Sequence, residues 1–138
     1  MSHHRPKALI VDLDEAVLIR LERVLENEGI DTDTSWDPDQ ACQELATGKY
    51  DLLLVEHHPP QIDAHQALQC PSRVPFIVLL PRATHPFEPQ YWQSAGAAAA
   101  LPMWAVDDIL VSVKKCLATS AGRPSETVPS SGGKKAAG

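Results

Sequence analysis

The run LLLV at residues 52–55, framed by Asp51 and Glu56, constrains this chain more than any other stretch. A strand with one wet face alternates apolar and polar side chains, and this run does not alternate. An unbroken apolar strand must be covered on both faces, which points to a parallel sheet with helices on either side. Other runs fit the same role. KALIVD (7–12) and VPFIVLL (74–80) are short, apolar and rich in β-branched residues. IDTDTSW (30–36) reads as a strand with one polar face, and AAALP (98–102) as a weak small-residue strand.

Helical patterns separate these runs. In DEAVLIRLERVLENEG (14–29), Val17, Leu18, Leu21, Val24 and Leu25 form an apolar stripe, with acids at its start and Gly29 placed as its C-terminal cap. DPDQACQELATG (37–48) offers Asp37 as N-cap, Pro38 at the first helical position and Gly48 as the stop. IDAHQALQC (62–70), EPQYWQSAG (88–96) and VDDILVSVKKCLA (106–118) complete the series. Strand–helix alternation repeated five times predicts a five-stranded parallel sheet flanked by helices, a three-layer flavodoxin-like sandwich. In such sheets ligands bind outside the carboxyl ends of the strands. Asp12, Glu56 and Leu80 fall at those ends.

One domain over residues 1–118 accounts for the pattern, and the Ser/Pro/Gly/Ala-rich stretch 119–138 is expected to be a disordered tail. The net charge of −6 argues against nucleic acid as a partner, since phosphate binding needs a basic stripe. Cys42, Cys70 and Cys116 are odd in number and lack CxxC spacing, so a reducing compartment is expected rather than a disulfide framework or zinc knuckle. No apolar run reaches membrane-spanning length and no signal-peptide core is present; a cytoplasmic protein is the expectation. Nucleotide-loop and nucleophile-elbow motifs are absent.

The phrases ALIVDLDE, YDLLLVEHHPPQIDA, VPFIVLL and AGAAAALPMW, in that order and spacing, resemble the receiver domain of two-component response regulators over roughly residues 6–118. That resemblance implies an aspartate phosphorylated at the end of the third strand. It also implies an acidic pair that helps hold magnesium, and a Ser/Thr and a Lys that bind the phosphoryl oxygens. Position by position, most of this is missing. Asp12 matches the first acid, but the second position is Leu13. The phosphoacceptor position is Glu56, the Ser/Thr position Leu80, and the lysine position Met103, with Trp104 where a proline follows. The aromatic switch position falls on Ala100.

Each departure opposes phosphoryl transfer. Magnesium takes oxygen ligands at about 2.0–2.1 Å, and Leu13 supplies none. Glu56 moves its carboxylate outward by more than about 1 Å, against a metal-site tolerance of about 0.2 Å. Leu80 and Met103 can neither hydrogen-bond nor neutralise a phosphoryl group, and transfer depends chiefly on positioned charge. Glu56 therefore reads as a tolerated strand-end carboxylate, with mimicry of a phosphorylated aspartate as the alternative.

His57, His58, His65 and His85 match no zinc spacing, so neither a metal nor another cofactor is expected. Trp92, Ala100 and Trp104 mark a candidate partner face, because receivers commonly dock through the fourth helix, fifth strand and fifth helix, and tryptophan is favoured at interfaces. For Trp92, a place roofing the core is the competing reading. The expected function is a non-enzymatic pseudo-receiver that binds a signalling protein or itself without phosphorylation. A phosphorylatable regulator using Asp12, Asp14 or Glu56, and a ligand-binding or enzymatic flavodoxin-like domain, are the alternatives.

Overall fold

The computed structural model describes residues 5–70, 72–81 and 85–121. The elements follow in the order β1 (Lys7–Val11), α1 (Glu15–Asn27), β2 (Asp31–Ser35), α2 (Pro38–Leu45), β3 (Leu52–Glu56), α3 (His65–Gln69), β4 (Phe76–Leu80), α4 (Glu88–Ser94), β5 (Ala99–Pro102) and α5 (Val106–Ala121). All five strands run parallel in the order β2-β1-β3-β4-β5. The five expected strand–helix units are therefore present, in the flavodoxin-like three-layer arrangement.

Strand alternation divides the core in two. Leu9, Val11, Leu53, Val55, Phe76, Val78 and Leu80 face Ala41, Leu45, Ile62 and Trp92 of the α2–α4 side. Ala8, Ile10, Leu52, Leu54, Ile77 and Leu79 face Val17, Leu21, Leu25, Ile109 and Val113 of α1 and α5. Both faces of β3 and β4 are thus covered, which is why their sequences do not alternate. β2 lies at the sheet edge and keeps its polar DTDTS sequence half-exposed.

The helix ends follow local chemistry. The Asp14 carboxylate accepts the Ala16 and Val17 amides, and Asp37 accepts those of Asp39 and Gln40. These satisfy amides that have no partner inside a helix. Gly29 closes α1 at φ +82°, where the Ile30 N–H reaches back to the Leu25 carbonyl at 3.0 Å. A side chain at that backbone geometry would be strained.

Two expectations change. α5 continues to Ala121, past the boundary at residue 118, because Thr119, Ser120 and Ala121 contain no helix breaker before Gly122. The remainder of the expected tail, 122–138, lies outside the described residues. Cys42 and Cys70 form a disulfide, with Cα atoms 5.4 Å apart, against the expectation of unpaired thiols. Their separation of 28 residues gives no hint in the sequence that α2 and the end of α3 meet.

Replacing Leu54, which is fully buried in the central strand, by alanine should lower the unfolding free energy by about 2–5 kcal/mol in urea denaturation. A loss under about 1 kcal/mol would contradict close packing of β3.

Candidate functional site

The order β2-β1-β3 places the switch point of the sheet between β1 and β3. The chain leaves the ends of these two strands toward opposite faces, opening the crevice where sheets of this type bind ligands. Asp12 directly follows β1, and Glu56 is the last residue of β3. Both side chains are buried, at 0% and 2% exposure, the only buried charged residues among those described.

Their surroundings are specific. Asp12 Oδ1 accepts the Asp14 N–H at 2.8 Å, linking it to the N-cap of α1. Glu56 Oε1 accepts the Leu13 N–H at 3.0 Å, and Oε2 lies 3.2 Å from Nδ1 of His58. Asp12 Oδ2 has no donor from any described group. The Glu56 carboxylate acts on Asp12 as a neighbouring acid, and a protonated Asp12 gains a donor that an ionised one lacks. Burial raises the Asp12 pKa to about 7, and the adjacent Glu56 carboxylate adds to that rise, against the opposing effect of the Asp14 N–H.

The other positions divide. Leu13 is solvent-exposed and contributes only its backbone amide. Leu80 packs into the α2–α4 core, whereas Met103 packs into the α1/α5 core. The structure therefore brings Asp12, Glu56 and the Leu13 amide together, and gives Leu80 and Met103 to opposite apolar layers. Outside Asp12 lies a groove of about 510 Å³ lined by Leu13, Leu18, Ile19, Thr34 and Trp36.

A magnesium ion does not fit this donor set. Both Glu56 oxygens are engaged, Leu13 offers no side-chain oxygen, and only Asp12 Oδ2 remains open. The ion needs six oxygens in near-octahedral array and gives up its water reluctantly.

Two of the three candidate partner-face residues are internal. Trp92 is 1% exposed and Ala100 is buried beside it in the same core layer. Trp92 follows the helical register of α4 inward, and its indole N–H reaches Glu88 at 3.4 Å. Trp104 is half-exposed just beyond β5. Sequence reasoning missed His58 as a Glu56 partner; the signal was its position two residues beyond the strand-end carboxylate.

Solved structures share this architecture. The receiver domain of the Francisella response regulator 1452 superposes with a TM-score of 0.73 at 20% identity, covering 83% of this chain and 98% of that one. The fold is that of a receiver domain. The signal receiver domain of an HD domain-containing protein from Pseudomonas fluorescens Pf-5 gives 0.72 at 23% identity over 87% of this chain and all of that one. A Thermotoga maritima response regulator gives 0.70 at 20% identity over 83% and 99%. No protein-family model and no curated protein sequence matches the chain. The chain thus has the receiver fold at low sequence identity to the solved structures that share it.

The raised Asp12 pKa fixes a sign. Between its unfolded value near 4 and about 7, the folded state holds more protons than the unfolded state. The Asp12 contribution to stability is therefore full at low pH and is lost as pH rises toward 7, an effect of the order of a few kcal/mol. His57, whose pKa is lowered chiefly by burial, acts in the opposite sense as pH rises through about 6.5. The difference between wild type and Asp12→Asn isolates the carboxyl pair. In urea denaturation from pH 5 to 8, Asp12→Asn should gain on wild type as pH rises and be the more stable protein at pH 8. Parallel pH profiles would contradict a raised Asp12 pKa.

Proposed function

We propose that this chain is a receiver-like module of a two-component-type signalling pathway that acts by docking to a protein, independently of phosphorylation, and is not an enzyme. The observation that carries this reading is the closed Asp12–Glu56 pair. Phosphoryl transfer to a carboxylate needs an exposed nucleophile, a metal that neutralises charge, and a cation on the product. Glu56 is buried with both oxygens engaged, and apolar side chains occupy the hydroxyl and ammonium positions. Mimicry of a phosphorylated aspartate has little support, because the Glu56 carboxylate addresses Leu13 and His58 rather than the β4 and β5 ends.

Docking is supported at the edge of the sheet. β5 is an edge strand. Exposed apolar side chains stand on the elements around it: Tyr91 on α4, Trp104 beyond β5, and Val111 on α5. With Trp92 and Ala100 internal, Trp104 is the residue of the expected face that a partner can reach. None of the described helices is long and apolar enough to cross a membrane. A cytoplasmic site of action belongs to the same reading.

Incubation with acetyl phosphate and magnesium, followed by intact-mass spectrometry, should yield no phosphorylated species; stoichiometric phosphorylation at Glu56 or Asp12 would refute the proposal. Trp104→Ala should weaken self-association or partner binding at least tenfold by analytical ultracentrifugation or pull-down titration, consistent with loss of an interface anchor worth more than about 1.4 kcal/mol. Unchanged association would remove Trp104 from the interface.

A further inference from the structure

We propose that His57, Asp63 and His65 form a binding site for a zinc-class divalent cation, separate from the receiver crevice. The sequence spacing gives no zinc pattern; the fold brings the three donors together. The His58 N–H donates to the Ile62 carbonyl at 2.7 Å, and the Ile62 N–H returns to the His58 carbonyl at 3.0 Å. This pair of bonds folds the β3–α3 loop back, so that Asp63 and His65 return beside His57. One ligand atom from each of the three residues then lies within 4.8 Å of the others.

The distances suit a small ion. His57 Nδ1 is 3.5 Å from Asp63 Oδ1, and His65 Nδ1 is 2.7 Å from the same oxygen. Ligands at about 2.0–2.2 Å from tetrahedral zinc stand roughly 3.3–3.5 Å apart, so the first distance is already right and the second opens by roughly 0.6–0.8 Å. His57 Nδ1 accepts the Ala64 N–H at 3.2 Å, so its lone pair is free of a proton and a metal replaces only that contact. Two imidazoles and one carboxylate select a borderline ion such as Zn²⁺ over Mg²⁺ or Ca²⁺, with a water completing the coordination.

The surroundings supply what a metal-bound histidine needs. His65 Nε2 lies 2.6 Å from the Tyr91 hydroxyl, so coordination at Nδ1 leaves Nε2–H to donate to Tyr91. Such an outer partner fixes tautomer and ring orientation. Both imidazoles also pack on the buried Trp92 ring, with centroids 4.8 Å away for His57 and 4.5 Å for His65. The partly exposed donors, Asp63 and His65 more than His57, leave the site open to an ion from solvent. Bound metal ties the β3–α3 loop to α4 through Tyr91.

The test is calorimetric titration of the full chain with Zn²⁺ alone, together with NMR of the histidine rings. Saturable uptake of one equivalent is expected, weakened at least tenfold by His65→Ala and by Asp63→Asn, and about tenfold by Tyr91→Phe. Replacing His3 and His4 together by alanine should leave it unchanged. The ring resonances of His57 and His65 should move with the first equivalent, and those of His3, His4 and His85 should not. Should His65→Ala or Asp63→Asn fail to fold, Tyr91→Phe and the wild-type ring resonances decide. Absence of saturable uptake, uptake indifferent to His65 and Tyr91, or uptake lost only with His3 and His4 overturns the site.

Discussion

Two carboxyl groups lie buried side by side at the one place where this fold opens toward a ligand. A pair of ionised carboxylates out of water is untenable, so something positive must stand between them. Where a metal site is intact, that role falls to a divalent cation. Here burial and the neighbouring Glu56 carboxylate raise the Asp12 pKa to about 7, which favours a proton on Asp12 below that pH. Asp12 carries one oxygen onto the Asp14 amide and leaves the other without a donor among the described residues, while Glu56 turns its own oxygens to Leu13 and His58. The added methylene of glutamate fits this arrangement, since it lets a carboxylate from the end of β3 reach the backbone after β1.

The rest of the domain keeps the pair in place. Parallel pairing of Val11 with Val55 fixes the ends of β1 and β3 next to each other. The apolar layers on both faces hold those strands rigidly, and the Asp14 cap ties the start of α1 to Asp12. The site is thus a consequence of the scaffold and needs no flexible loop to assemble. Leu80 and Met103 complete the two apolar layers at the ends of β4 and β5.

The fold was legible because its signals are local and repeated. Unbroken apolar strands such as LLLV and FIVLL demand cover on both faces, and Asp14, Asp37 and Gly29 mark helix ends through chemistry that acts over three or four residues. The positions of Asp12 and Glu56 followed from strand ends alone. What the sequence hid was every contact made between distant segments. Trp92 turned inward, as its core-roofing reading has it; the register of a seven-residue helix decides the face, and one aromatic residue carries too little periodicity to choose between the two readings. Cys42 and Cys70 meet across two helices, and His57 meets Asp63 and His65 only after the loop doubles back. The proximity of Asp12 to Glu56 is of this kind too, since they lie 44 positions apart in the chain with none of the usual spacing cues.

Asp12, beside Glu56, holds its proton up to near-neutral pH. Carbon-detected NMR titration of the side-chain carboxyl groups, with and without millimolar magnesium, addresses it directly. The account predicts that Asp12 titrates near neutral pH, at about 7, and that magnesium leaves the curve where it is. An Asp12 midpoint near the ordinary carboxylate value, or one that falls when magnesium is added, would contradict it.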